Sequence, residues 1–268
     1  MKVPIFSIVS LFLIFTICFF GSYFYSGLAY ELNPDLILLP PSFNNPFGTD
    51  RLGRDVLARV IEGGQISLTI GLTSAVITSF IGLIIGVSAG FFKGKIDKII
   101  IILIDLFLTF PTFFLLLALV SYVNASVWVI VVVISITGWM GMARMIRSES
   151  FAISNHPYIK ILNIANVSSI KIIIKYFTPI LAPIFFISFT FGISGAILAE
   201  SGLSFLGIGI NPPQISWGTI LSEGKEVIDI AWWLSFFPGF MIFIVTYSLI
   251  NLSDYLQTKT DSKETRVD

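Results

Sequence analysis

Six long apolar runs separated by short polar intervals set the pattern of this chain, at residues 3–25, 67–92, 99–122, 126–146, 180–206 and 232–252. Each reaches the roughly 20 residues an α-helix needs to cross bilayer hydrocarbon, where the backbone must satisfy its own hydrogen bonds. The pattern predicts an all-α, polytopic membrane protein with six transmembrane helices. Its divisions are a first helix over 1–25, a polar loop over 26–66, five helices over 67–252 and a tail over 253–268. The tail is polar from residue 258 onward and is expected to be irregular.

The interval 154–179 is the longest polar-containing stretch of the second half. Pro157 suits the first turn of a helix, with Ser154 or Asn155 placed to cap it. Tyr158, Ile161, Leu162 and Ala165 then fall at i, i+3, i+4 and i+7, an apolar stripe, with Lys160 and Asn163 pointing elsewhere. Asn166 tolerates positive φ and reads as the break. A second short helix over 168–178 carries Lys171 and Lys175 one turn apart, and Pro179 marks where the apolar pattern resumes. The interval predicts a helix-turn-helix outside the bilayer whose stripe needs a partner.

Of the 268 residues, 55% are hydrophobic and 12% charged, against roughly 25% charged in soluble domains. With the N-terminus inside, twelve Lys and Arg residues fall in inner segments, and only Arg51, Arg54, Arg59 and Lys225 in outer ones. The positive-inside rule then places both termini and the 154–179 loop in the cytoplasm and the 26–66 loop outside. Gly27 and Ala29 offer a cleavage-like spacing after the first run, but that run is long for a signal core and its removal would leave five spans. No basic stripe with interleaved aromatics marks a nucleic-acid partner. Cys18, the single cysteine, excludes an internal disulfide, and no zinc-site spacing, other metal site or cofactor motif occurs. No Gly-x4-Gly-Lys-Ser/Thr phosphate loop occurs either, so this chain does not by itself bind ATP in that manner, and any energy must arrive from elsewhere.

Inside the spans, Gly71, Ala75 and Ser79, then Gly82, Gly86 and Gly90, recur every four residues and predict a face where another helix approaches closely, in this chain or a partner. Asp105 lies about seven residues into the third run, roughly 10 Å along a helix, and should face water or the protein interior or be protonated; it reads as paired with a neighbouring helix or, with Glu200 and Trp217, as a candidate pore or gate residue. Pro111 should kink that run. Arg144 and Arg147 end the fourth run in a snorkelling position. Glu200, about 30 Å beyond Pro179 along the helix, is expected near the outer boundary as a hydrated structural carboxylate. Trp217 reads either as gate lining or, with Trp232 and Trp233, as an interfacial anchor. Gly192, Ser194 and Gly195 resemble the Gly-x-Ser-Gly of intramembrane serine proteases. The sole histidine, His156, lies some 22 Å from Ser194 along the helix, so the small residues read better as packing.

Two segments carry a family resemblance. The 46–72 stretch, with Gly48, Thr49, Asp50, Gly53, Arg54 and Asp55, matches the Gly-Thr-Asp and Leu-Gly-Arg-Asp signature of permeases in bacterial dipeptide, oligopeptide and nickel importers, and 197–224 resembles the same subfamily. The four charged residues of the first segment read by themselves as mutual surface pairs. The 154–179 loop resembles the coupling loop of these permeases at Tyr158, Ser168, Lys171, Lys175 and Pro179. It departs at Lys160 (usually Glu), at Ile161 and Leu162 (usually Ala) and at Asn166 (usually Gly). The resemblance implies an importer permease of a bacterial plasma membrane. It would form half of a pore for peptides, nickel or a metal chelate, as a heterodimer with a second permease. Two ATP-binding cassette ATPase subunits and an extracytoplasmic solute-binding protein complete the assembly. The chain itself is then no enzyme; an ATPase-independent channel, a secondary carrier and an exporter stand as alternatives. For the orientation, Ser169→Cys should resist an impermeant thiol reagent applied outside intact cells, and efficient labelling would invert the topology.

Overall fold

In the computed structural model the described residues are 3–264 apart from 26 and 28, with side chains described through residue 260. The chain folds as α1 (Ile5–Phe20), α2 (Val56–Phe92), α3 (Gly94–Leu108), α4 (Thr112–Ser121), α5 (Val127–Asn155), α6 (Pro157–Ile164), α7 (Ser169–Ile172), α8 (Thr178–Phe205), α9 (Trp217–Lys225) and α10 (Trp233–Glu264). Among the described residues there is no strand beyond an isolated Thr49–Asp55 bridge. Five helices are long and apolar enough to cross a membrane, and α3 with α4 makes a sixth if the bent pair is one span.

Several boundaries differ from the hydropathy pattern. The second span begins at Val56, inside the expected 26–66 loop, because Asp55 accepts the Ala58 N–H at 2.8 Å and caps it there. The fourth runs on to Asn155 and absorbs both residues expected to cap the loop helix. The tail is helical through Glu264 rather than irregular, and residues 265–268 lie outside the described residues. Apolar patterning marks only the lipid-solvated part of a helix, and these helices project beyond it. The 37 residues of α2 span roughly 55 Å against a hydrocarbon layer of about 30 Å.

Pro111 breaks the third span, and α3 and α4 meet at 80°. Proline lacks the N–H that would continue the ladder and sterically opposes the turn before it. Thr109 Oγ1 turns back to donate to Asp105 O at 2.8 Å.

α2 is central, packed mainly on α5 and α8. The small-residue face has its neighbours within this chain. A Cβ on Gly82 would lie 2.9 Å from Met142 Cβ, one on Gly86 2.7 Å from Ala143 O, and one on Gly90 2.7 Å from Arg147 O. The offset stays near 60 residues, so α2 and α5 run parallel, and Ser135 Oγ donates to Ser74 O at 3.4 Å further along. α8 lies antiparallel on the other side, with Ile193 and Ile197 against Gly71. α10 covers α8 and α9, and α1 covers α10. Ser10 and Ser248 hydroxyls meet at 2.8 Å and Asn251 Nδ2 donates to Ser7 Oγ at 3.0 Å. The described start of α1, the end of α10 and the α6–α7 loop therefore share one end of the bundle, the loop end. The 29–55 segment and α9 occupy the other. Gly86→Leu should destabilise the bundle by about 1–3 kcal/mol through overpacking, read as a lower melting temperature in detergent. Gly195→Ala, with no neighbour within 4 Å, should not.

Candidate functional site

At the loop end, α6 starts after His156, whose backbone is the N-cap, with no side-chain cap. Ser154 donates instead to Gly90 O at 3.2 Å, and Asn155 accepts from Lys93 Nζ at 2.7 Å. Asn166 takes φ +55°, and Val167 N–H reaches back to Leu162 O at 3.1 Å, closing the helix as its sequence predicts. The stripe is rotated from expectation. Ile159 is fully buried and Leu162 half-buried against Ile153, Ile172 and Phe177. The outward apolar face is Tyr158, Ile161, Ile164 and Ala165, with Ile170 and Ile174 beside it. Ile161 and Ile164 are 64% and 81% exposed, and Lys160, Lys171 and Lys175 of the same loop are exposed too.

Pro179 does not restart a helix. Ser169–Phe205 is one continuous run, with a π turn at Ile173–Phe177 just ahead of the proline. Pro179 cannot donate to the carbonyl four residues back, and the wider turn accommodates that loss. Thr178 Oγ1 donates to Ile173 O at 3.3 Å in the same turn.

Between α3 and α5 two ion pairs form. Arg147 clasps both oxygens of Asp97, and Arg144 pairs with Asp105. Arg144 and Arg147 therefore have partners rather than simply snorkelling, and Asp105 meets a neighbouring helix, one of the outcomes open to it.

The opposite end is tied together by charge. Asp50, 1% exposed, accepts Leu52 N–H at 2.8 Å, Arg54 N–H at 3.0 Å and Arg54 Nε at 2.7 Å, and pairs closely with Arg59. Arg59, also 1% exposed, donates from Nη1 and Nη2 to Glu223 of α9 at 2.6 and 2.8 Å. The signature is thus a buried bridge from loop to α2 to α9, not a set of surface pairs. Asp55 takes no arginine. It caps α2 and accepts from Asn45 Nδ2 at 2.7 Å and the Tyr25 hydroxyl at 2.9 Å. Burial and the Asp55 carboxylate push the Tyr25 pKa up to about 12, so its phenol stays a donor at neutral pH. Gly48 and Gly53 have φ of +74° and +73°, and a Cβ on Gly48 would meet Leu39 O at 2.7 Å. Thr49 is buried, and its carbonyl accepts from Trp233 Nε1 at 3.0 Å.

Glu200 and Trp217 are fully buried, which overturns the hydrated setting expected for Glu200 and both readings of Trp217. Hydroxyls of Ser204, Ser67 and Ser201 donate to the carboxylate at 2.8, 3.2 and 3.4 Å. The Trp217 indole N–H donates to Val60 O at 2.9 Å and its backbone N–H to Ser67 Oγ at 3.1 Å. Together they clamp α9 onto α2 and α8. Trp233 is likewise buried, while Trp232 remains exposed. Ser194 Oγ donates to Phe191 O at 2.7 Å, the back-bonding of a packing serine.

Known proteins are similar to this chain. A family profile described as "binding-protein-dependent transport system inner membrane component" matches residues 82–263. The chain belongs to that family. It is 37% identical over 226 residues to the dipeptide transport system permease protein DppC of Bacillus subtilis, covering 84% of this chain and 71% of that one. It is 32% identical over 218 residues to the oligopeptide transport system permease protein OppC of Haemophilus influenzae, covering 81% and 70%. An inward-facing MetNI methionine ABC transporter structure aligns with TM-score 0.62 at 15% identity, over 76% of this chain and 96% of that chain. That likeness shows the fold. This permease is an importer's membrane subunit rather than an enzyme, and ATP hydrolysis belongs to separate subunits.

Sequence reasoning about the permease missed Arg59 and Glu223 as partners. By sequence Arg59 was one of the cations of the outer loop; its burial followed only from α2 starting at Val56, and which acid it meets depends on where α9 folds. Arg59→Met leaves Asp50 and Glu223 short of a partner and should cost about 3–5 kcal/mol, read by thermal melting. Arg51→Met, breaking only the exposed contact with Glu226, should change the melt little.

Proposed function

We propose that this permease forms half of a pore for peptide cargo, beside a second, unlike permease. Separate ATPase subunits drive it through α6, and an external solute-binding protein delivers the cargo. The loop end faces the cytoplasm in this reading, with both termini there, and the 29–55 segment and α9 face outward. Nickel or a metal chelate is the other cargo suggested by the subfamily resemblance. The named peptide permeases among the relatives favour peptides, and among the described residues no group of three His, Cys, Asp or Glu is placed to hold a metal ion.

The observation that carries the reading is the outward face of α6 and α7. Isoleucine side chains exposed to this degree outside the lipid-facing surface, on a loop that also exposes three lysines, fit a groove on a partner protein. A decisive shift of a two-state pore takes about 5.5 kcal/mol of differential binding. Each isoleucine buried by a partner contributes roughly 1.5–3 kcal/mol, so Ile161, Ile164 and their neighbours suffice. Tyr158, Lys160, Ala165, Lys171 and Lys175 border the same contact. Leu162, Asn166 and Pro179 shape the elbow that presents it, and the continuous helix from Ser169 to Phe205 transmits motion.

Ile161→Asp with Ile164→Asp changes only exposed positions, so the chain should fold normally. The double variant should no longer co-purify with its ATPase, and ATP-driven uptake should fall at least about tenfold. Wild-type co-purification with full uptake would defeat the docking assignment, and accumulation against a gradient without any ATPase would favour an independent carrier.

A further inference from the structure

The surface of α5 that the rest of the chain leaves uncovered passes from one side of the helix to the other along its length, and its character changes with it. Its first half presents Trp128, Val132 and Ile136, side chains suited to lipid tails. Its second half presents Gly138, Gly141, Arg144 and Ser148, with Met145 alongside. Arg144 pairs there with Asp105, and the two side chains remain 54% and 58% exposed. The companion pair Arg147–Asp97 is mostly enclosed, at 24% and 13%. One pair is thus closed within the chain, and the other is presented outward.

Depth makes this informative. Asp105 stands seven residues beyond Lys98, about 10 Å along α3, in the apolar run that continues to Leu108. A half-exposed ion pair at that depth is strongly penalised against hydrocarbon, and such groups face water or protein. Gly141, one turn before Arg144, would place a Cβ with no atom within 4 Å, so access to the pair along α5 is open.

We infer that this α5 face lines a water-filled path and that Asp105 and Arg144 form a pair that reads the two charges of a zwitterionic solute. The guanidinium takes the solute's carboxylate and the aspartate its ammonium. Exchange of partners replaces one ion pair by two, conserves charge and makes no covalent bond. A short peptide carries both groups at its ends, so the inference rests on the reading of this chain as half of a peptide pore. It goes further by naming the wall and the recognising groups.

The test uses the complete assembly, with second permease, ATPases and solute receptor, in proteoliposomes. Cys18 is buried, so the otherwise unaltered chain serves as the blank. Gly141→Cys should react with a charged, water-borne methanethiosulfonate at least about tenfold faster than Ile102→Cys, whose apolar α3 position is also exposed; equal, slow rates would overturn the aqueous wall. Asp105→Leu with Arg144→Met exchanges the pair for apolar side chains, a change that mere structural pairs often tolerate. Uptake of a labelled dipeptide should fall at least about tenfold with unchanged co-purification of the partners. Uptake within about twofold of wild type, or loss of co-purification together with uptake, would overturn the solute-reading role. A wild-type assembly that takes up no dipeptide would instead overturn the peptide-pore reading on which the inference stands.

Discussion

Inside a bilayer, a helix gains no hydrophobic advantage by exchanging a lipid tail for another helix, so what holds this bundle together is close backbone approach and polar ties. α2 shows both. Gly82, Gly86 and Gly90 bring it against the α5 backbone, where any Cβ would collide. Ser67 joins it to the buried Glu200 of α8, and Arg59 joins it to Glu223 of α9. Its remaining side, at Leu72, Val76, Phe80 and Ile84, is apolar and exposed.

The two ends of the bundle use their polar groups differently. Beside α9, the main charged and hydroxyl groups are spent on neighbours: Asp50 on two arginines and two backbone amides, Glu200 on three serines, Trp217 on Val60 and Ser67. Such a network, in which only Arg59 Nε among these buried groups is left without a partner, is costly to open. At the loop end, isoleucines and lysines stand outward without a neighbour from this chain to cover the isoleucines. A firmly tied end beside α9 and an exposed apolar elbow at the loop end, joined by helices that run unbroken from one to the other, fit the proposed role of a subunit moved from one side.

The chain's residues reveal local geometry well where one residue's chemistry decides it. Pro111 bends the third span, Asn166 takes positive φ, and the glycine spacing on α2 marks a tight helix contact. Helix ends were less legible. The start of α2 and the ends of α5 and α10 lie beyond the apolar runs, in polar stretches where caps and neighbours, rather than lipid, set the limit. On α6 the periodic stripe was found, but the inward side was not. Ile161 lies on that stripe and Ile159 off it, and Ile159 is buried by packing with Ile172 and Phe177.

By itself, then, the sequence determined the membrane class, the span pattern, the family resemblance and the existence of an exposed elbow, because these depend on hydropathy, spacing and local turn chemistry. The tertiary structure alone decided that Arg59 belongs to Glu223 and Asp105 to Arg144, and that Glu200 and Trp217 are sealed inside. The partners in these ion pairs are 164 and 39 residues apart along the chain. A charge in lipid demands a counter-charge, but which one it meets depends on how the helices are arranged around α2.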